Sequence, residues 1–262
     1  MSTSLPGVAL VTGAGAGIGR ACVTALAADG FLVAVNDLDE AACASTVDLI
    51  RSGGCQAEAF PFDVSDEAAW HSAAREIRSV LGAVTALVHN AAVKASSDPG
   101  DGALLDMQLS SWDRTMAVNL RGPMLGTRTV LPQMLEERHG SIVMISSISA
   151  VRSVPGLATA YTAAKAGLIG LTQTIAVTYG PSGIRCNAIA PGIVLPDDPP
   201  NRPGIAPAGT SLAAAGLIGH DGRAGDISSV VAFLAGPKSL FVNGQTLVVD
   251  GGISVHLAGV AA

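Results

Sequence analysis

Short runs of consecutive apolar residues, rich in β-branched side chains, alternate along this chain with Ala-rich stretches long enough to form helices. Val8 to Val11 predicts a strand, Arg20 to Asp29 a helix and Phe31 to Val35 a second strand. A helix over Ala41 to Ser52 ends at Gly53-Gly54, where glycine accepts the left-handed turn that closes many helices. A strand from Ala57 to Phe62, a helix from Asp66 to Leu81 and a strand from Ala86 to His89 follow. Ser141 to Ser146, Arg185 to Ile189 and Thr246 to Val249 complete the set, with helical stretches between them. Strands apolar on consecutive residues are buried on both faces. Repeated strand–helix–strand units of this kind predict an α/β fold, a doubly wound parallel sheet of about seven strands with helices on both faces. No linker divides the chain, so residues 1–262 read as one catalytic and nucleotide-binding unit.

One segment breaks the rhythm. Leu195 to Gly219 holds five of the fourteen prolines and no long periodic element. Long loops inside compact domains are commonly active-site lids, and a substrate lid over 195–219 is the expectation.

Composition narrows the function. With 49% apolar residues and only 14% charged, a large buried core is available. The net charge of -6 argues against nucleic acid, whose binding draws on a basic face. No apolar run reaches the roughly 18 residues that span a bilayer, so no membrane segment is expected. Met1 to Gly7 has neither the basic start nor the apolar core of a signal peptide. The four cysteines, Cys22, Cys43, Cys55 and Cys186, form no CxxC and no zinc spacing, as expected of free thiols in a reducing cytoplasm.

The first candidate chemistry is a glycine cluster, Thr12-Gly13-Ala14-Gly15-Ala16-Gly17-Ile18-Gly19, set between the first strand and the first helix. Without Cβ atoms a backbone can turn tightly and approach a pyrophosphate, which the free N–H groups and dipole of the helix start then attract. The spacing is GxxxGxG and not the GxGxxG of the common dinucleotide fingerprint. Asp37 ends the second strand about 20 residues later, where a carboxylate accepts hydrogen bonds from a ribose and repels a 2′-phosphate. No basic residue stands at Ala16 or directly after Asp37, so the expected cofactor is NAD and not NADP. Asp63 and Val64, after the third strand, are candidates for the adenine edge.

The second is Tyr161-Thr162-Ala163-Ala164-Lys165, which places a phenol and an ammonium on one helix face. A phenol with a pKa near 10 carries protons poorly at neutral pH, and a neighbouring cation is expected to lower that value. Tyr179, the second tyrosine, has no such partner and reads as packing.

Together these motifs resemble the short-chain dehydrogenase/reductase family, in its single-domain form of about 250 residues with a Rossmann-type fold. The resemblance covers essentially the whole chain. His89-Asn90-Ala91-Ala92 stands where the family carries Asn-Asn-Ala-Gly. Asn119 and Ser147 match its active-site asparagine and serine, Asn187 to Gly192 its nicotinamide segment, and Asp250-Gly251-Gly252 the end of its last strand. The resemblance implies that Tyr161 is the general acid/base and that Lys165 lowers its pKa and holds the nicotinamide ribose. It also implies that Ser147 bonds the substrate oxygen and that Asn119 holds a relay water. Gly13, Ala16, Gly17, Ile18, Gly19, Asn90, Pro191, Gly192 and Ile193 would complete the cofactor site.

Departures from the family pattern leave alternatives. Ser147 and Tyr161 are one residue further apart than is usual, so Ser146 and Ser149 compete with Ser147. Pro196 replaces a threonine that reaches the carboxamide, and proline has neither hydroxyl nor N–H to offer. The family layout implies Ser149, Leu157 and the loop from Lys94 to Gly102 as candidates for the substrate side, and Arg152 is a candidate for a substrate carboxylate. The expected substrate is a small, largely apolar secondary alcohol or ketone, and the family implies a homotetramer or homodimer. An NADPH-linked carbonyl or 3-oxoacyl-type reductase is the alternative, and a non-catalytic NAD-binding sensor or scaffold a remoter one.

Overall fold

The computed structural model describes residues 7–94, 97–152, 158–195, 218 and 222–255. The elements run β1 (Val8–Val11), α1 (Gly17–Ala28), β2 (Leu32–Val35), α2 (Glu40–Ser52), β3 (Ala57–Ala59), α3 (Glu67–Val80), β4 (Val84–His89) and α4 (Leu109–Met116). They continue through α5 (Gly122–Glu137), β5 (Gly140–Ile145), α6 (Thr159–Tyr179), β6 (Ile184–Pro191), β7 (Val194–Leu195), β8 (Gly222–Arg223), α7 (Ala224–Ala235) and β9 (Thr246–Val249). Seven strands form one sheet in the order β3-β2-β1-β4-β5-β6-β9, every neighbouring pair parallel.

Period-two alternation splits the core into two layers. Ala9, Val11, Val143 and Ile145 face α1, α2 and α7, meeting Val23, Leu26, Val47 and Val231. Val8, Leu10, Ile142 and Met144 face α3, α5 and α6, meeting Trp70, Ile77, Met134 and Leu168. All eight residues of β6 are buried, the signature of a central parallel strand. β9 is the edge, and its Val248 is 42% exposed.

The expected elements recur with three differences. β3 stops at Ala59, because Pro61 has no N–H to continue a ladder beyond the bond from Phe60 N to Val35 O. α1 begins at Gly17, inside the glycine cluster. A π-helical turn, Ala117–Arg121, joins α4 to α5, and no sequence pattern announced it. The 195–219 segment falls almost wholly outside the described residues. The two-stranded ladder of β7 and β8 brings its flanks side by side.

The chain leaves β1 towards β2 on one side and returns to β4 on the other. That reversal opens a crevice beyond the carboxyl ends of the strands, where ligands bind in sheets of this kind. Every candidate residue of the cofactor and catalytic sites follows such a strand end or stands on a helix that packs there.

Candidate active site

The glycine turn after β1 is held by its neighbours β4 and β2 through backbone and side-chain bonds. Thr12 N donates to Val88 O at 3.0 Å and Ala14 N to Asn36 O at 2.7 Å. The Thr12 hydroxyl accepts Asn90 N at 3.0 Å and Ala91 N at 3.1 Å. Asn90 Nδ2 donates to Thr12 O and Gly13 O at 3.0 and 2.9 Å, so the end of β4 braces the turn. Gly13 and Gly17 have φ of +64° and +53°, which suit glycine. A Cβ on Gly19 would stand 2.1 Å from Gly13 O, so only glycine lets α1 start this close to the strand.

α2 and α3 are capped by their own aspartates, Asp39 and Asp66, each accepting two backbone N–H groups. α1 is different. Its N-cap is the exposed Ala16, without a side-chain cap and without an acid in the first turn. Around Gly17 a Cβ would meet nothing within 4 Å. Uncapped N–H groups, the positive dipole end and open space suit a pyrophosphate, so these residues fit a dinucleotide.

At the ribose end, Asp37 Oδ2 accepts Gly15 N at 2.9 Å and Oδ1 accepts Asp39 N at 3.2 Å. The carboxylate is thus tied to the turn it follows by 22 residues. Arg20, the cation of the first turn, is committed to Gly15 O and, at 3.0 Å, to Thr46 Oγ1. Asn36 Nδ2 bridges Phe60 O and Phe62 O, both at 3.1 Å, and joins the ends of β2 and β3. Beyond them Asp63 is exposed and binds Ser65 N and Oγ at 2.8 Å. Val64 is buried and its carbonyl accepts Trp70 Nε1 at 2.8 Å.

The catalytic candidates meet between β5 and α6. Lys165 is 2% exposed, its Nζ donates to Ile145 O at 2.7 Å, and it lies 5.6 Å from the centre of the Tyr161 ring. Burial lowers Lys165 to about 8. The Tyr161 phenol departs from the expectation: burial raises it above its ordinary value, and a side-chain hydrogen bond with Ser147 opposes that rise.

The three serines separate by their partners. Ser146 Oγ is buried and donates to Lys165 O at 2.8 Å, a link between β5 and α6. Ser147 Oγ accepts Ser149 N at 3.2 Å and is oriented by it, and of the three serines it is the one that acts on the phenol, opposing the rise that burial imposes. Ser149 is buried, and its hydroxyl has no partner among the described residues.

Asn119 lies at the centre of the π-helical turn and is fully buried. Its Oδ1 accepts Val93 N at 2.7 Å and its Nδ2 donates to Val93 O at 2.9 Å. Each polar end makes a bond to Val93, so the side chain braces the segment after β4. At the end of β6, Pro191 is buried, Gly192 N donates to Val249 O at 2.9 Å, and Ile193 is exposed with its carbonyl beside Gly222.

His89 is no pocket residue: it is buried, bonded to Thr127 Oγ1 at 3.0 Å, and pushed down to about 3 by desolvation. Arg152 is exposed and, among the described residues, reaches Ser254 O at 3.4 Å. Tyr179 packs against the α3/α5/α6 layer. Leu157 and Pro196 lie outside the described residues. The four cysteines are free, and among the described residues no metal-binding cluster and no membrane-spanning helix occurs. Sequence reasoning missed Asp101, whose carboxylate accepts Ala160 N and Tyr161 N, both at 2.8 Å. No local pattern could reveal a pairing across 59 and 60 residues.

Comparison with known proteins agrees with this geometry. A family model described as enoyl-(acyl carrier protein) reductase matches residues 13–254. A probable short-chain type dehydrogenase/reductase of Bradyrhizobium diazoefficiens is 38% identical over 95% of this chain and 88% of its own. The (3R)-3-hydroxyacyl-CoA dehydrogenase of Mus musculus is 38% identical over 94% of this chain and 95% of its own. The 2-(S)-hydroxypropyl-CoM dehydrogenase 3 of Xanthobacter autotrophicus is 34% identical over 94% and 96%. Among solved structures, a putative gluconate dehydrogenase from Agrobacterium tumefaciens superimposes with a TM-score of 0.86, at 30% identity over 95% and 96% of the two chains. Matching over nearly its whole length in both sequence and architecture, this chain belongs to the short-chain dehydrogenase/reductase family of oxidoreductases.

Proposed function

We propose that this protein is an NAD(H)-dependent oxidoreductase interconverting a secondary alcohol and a ketone, with Tyr161 as its general acid/base. The observation that carries the reading is the meeting of Tyr161 and Lys165 beside Ser147 at the end of β5, on a sheet whose glycine turn after β1 suits a dinucleotide. Bound there, NAD supplies the hydride acceptor, and its reduced form the donor.

In oxidation Tyr161 takes the hydroxyl proton of the alcohol, and in reduction it returns that proton to the carbonyl oxygen. Ser147, oriented by Ser149 N–H, holds the reacting oxygen and counters the phenol's desolvation. Lys165 places a positive charge beneath the ring; its one hydrogen bond within the described chain, to Ile145 O, leaves donors for a ribose. Asn119 braces Val93 through both ends of its amide and so supports the segment beside the site. Gly13, Ala16, Gly17, Ile18 and Gly19 receive the pyrophosphate, Asp63 and Val64 border the adenine, and Pro191, Gly192 and Ile193 lie by the nicotinamide.

The preference for NAD rests on Asp37, a carboxylate held at the ribose end of the turn, while Arg20 is engaged elsewhere. Two of the relatives are named for hydroxylated substrates, a 3-hydroxyacyl thioester and a hydroxypropyl thioether, which supports a secondary alcohol. The function is expected in the cytoplasm and in a homotetramer or homodimer.

A panel of secondary alcohols and ketones, followed by NADH absorbance, tests the reading. Tyr161→Phe is expected to bind NADH unchanged in a fluorescence titration while losing roughly 10²–10⁴-fold in turnover. Undiminished turnover would overturn the mechanism. A clear kcat/KM preference for NADPH would overturn the role of Asp37 and favour the carbonyl-reductase alternative.

A further inference from the structure

α6 carries Tyr161 in its first turn, and its own sequence cannot cap it. The N-cap is Ala158, with no side-chain hydrogen bond. The second and third helical residues, Ala160 and Tyr161, leave N–H groups that need acceptors; Ala160 is fully buried and Tyr161 partly so. Asp101 supplies both, Oδ1 to Ala160 N and Oδ2 to Tyr161 N, each at 2.8 Å, from a carboxyl that is itself 7% exposed. Beside it, Gly102 O accepts Thr159 Oγ1 at 2.7 Å and Thr159 N at 3.3 Å.

The loop that carries Asp101 is itself fastened. Asp98 Oδ1 accepts Gly100 N at 3.0 Å and Ser111 Oγ at 2.9 Å, tying the loop to α4. A Cβ on Gly100 would stand 2.3 Å from that hydroxyl, so a side chain there would push Ser111 off Asp98. Fixed at α4, clasped to α6, the loop sets the azimuth of the first turn of α6.

We infer that Asp101 is a positioning residue for the reaction: it holds the backbone of Tyr161 and so sets where the phenol stands beside Lys165. The inference rests on the reading of Tyr161 as acid/base. The two carboxylate oxygens are engaged by the N–H groups of Ala160 and Tyr161, so a turn released from them displaces the phenol. Misplacement of a reacting group by about 1 Å costs on the order of a hundredfold in rate.

The test compares Asp101→Ala, Asp101→Asn and Tyr161→Phe, using the alcohol that the wild type turns over fastest in a panel from 2-propanol to 3-hydroxybutyrate. Asp101→Ala is expected to lower kcat roughly tenfold to a hundredfold. Its KM for NAD should stay within about twofold, because the glycine turn that binds the dinucleotide is remote from this clasp. The rising limb of kcat against pH should move to higher pH, because the phenol loses its bond to Ser147. Asp101→Asn, which keeps one acceptor, should recover part of the loss and remain measurable should the alanine variant not fold. Adding Asp101→Ala to Tyr161→Phe should cost no further turnover. A kcat within twofold of wild type in Asp101→Ala would overturn the inference, as would a loss with an unmoved pH limb or one that Asp101→Asn does not relieve. Full turnover in Tyr161→Phe would instead remove the reading on which the inference rests.

Discussion

Ser147→Ala removes one hydroxyl from the phenol's surroundings and tests which of three serines acts. Burial raises the Tyr161 phenol, and the Ser147 bond is what opposes it. A hydrogen bond to a charged group is worth about 1.5–3 kcal/mol. If that bond is made to the phenolate and to the reacting oxygen, its loss corresponds to roughly 10- to 150-fold in kcat. With the phenolate as the base proposed for alcohol oxidation, the rising limb of kcat against pH should also move upward. The Ser149 N–H that Ser147 accepts is a lesser loss, on the order of 0.5–2 kcal/mol of local stability. The assay is kcat for alcohol oxidation from about pH 6 to 10, with Ser146→Ala and Ser149→Ala alongside. Ser146→Ala, which breaks the 2.8 Å bond to Lys165 O, should lower thermal stability and leave the pH limb in place. Ser149→Ala removes a hydroxyl without a partner among the described residues and should leave the free enzyme's stability nearly unchanged. A Ser147→Ala enzyme within threefold of wild type, with Ser149→Ala carrying the loss, would refute the assignment.

Three further outcomes follow from the same geometry. Asp37→Ala should weaken NADH and narrow its advantage over NADPH in kcat/KM; it should also lower Tm by a few degrees, because the bond to Gly15 N is worth about 1 kcal/mol. Gly19→Ala forces a Cβ to 2.1 Å from Gly13 O, and this overpacking should cost about 1–3 kcal/mol in denaturant titration and abolish NADH binding. Gly17→Ala, where the Cβ meets open space and only the positive φ is strained, should cost about 1 kcal/mol. His89 is held at about 3 against an ordinary 6.5, so the folded chain binds fewer protons than the unfolded one between those values. Stability should therefore be complete above pH 6.5 and fall by up to about 1.4 kcal/mol per unit as pH drops below it. Denaturant titrations at pH 7 and 5 measure that slope, and His89→Gln should flatten it.

Period and punctuation along the chain were enough to read the parallel sheet, because consecutive apolar residues have no other stable destination than a strand covered on both faces. The glycine turn, Asp37 and the Tyr161–Lys165 pair were legible for a similar reason: each lies within one strand–turn–helix unit or one helix turn, so spacing in sequence is spacing in space. What the tertiary structure alone decided are contacts between distant segments. Only packing shows that Ser146, just beyond β5, turns its hydroxyl to the backbone of α6 while its neighbour Ser147 acts on the phenol. Only packing shows that both ends of the Asn119 amide bond to Val93. Burial, invisible in a lone YxxxK, raises the phenol that the sequence argument had expected a lysine to lower. And the cap on α6 comes from Asp101, 57 residues before the uncapped Ala158, because a buried N–H must find an acceptor wherever the fold brings one.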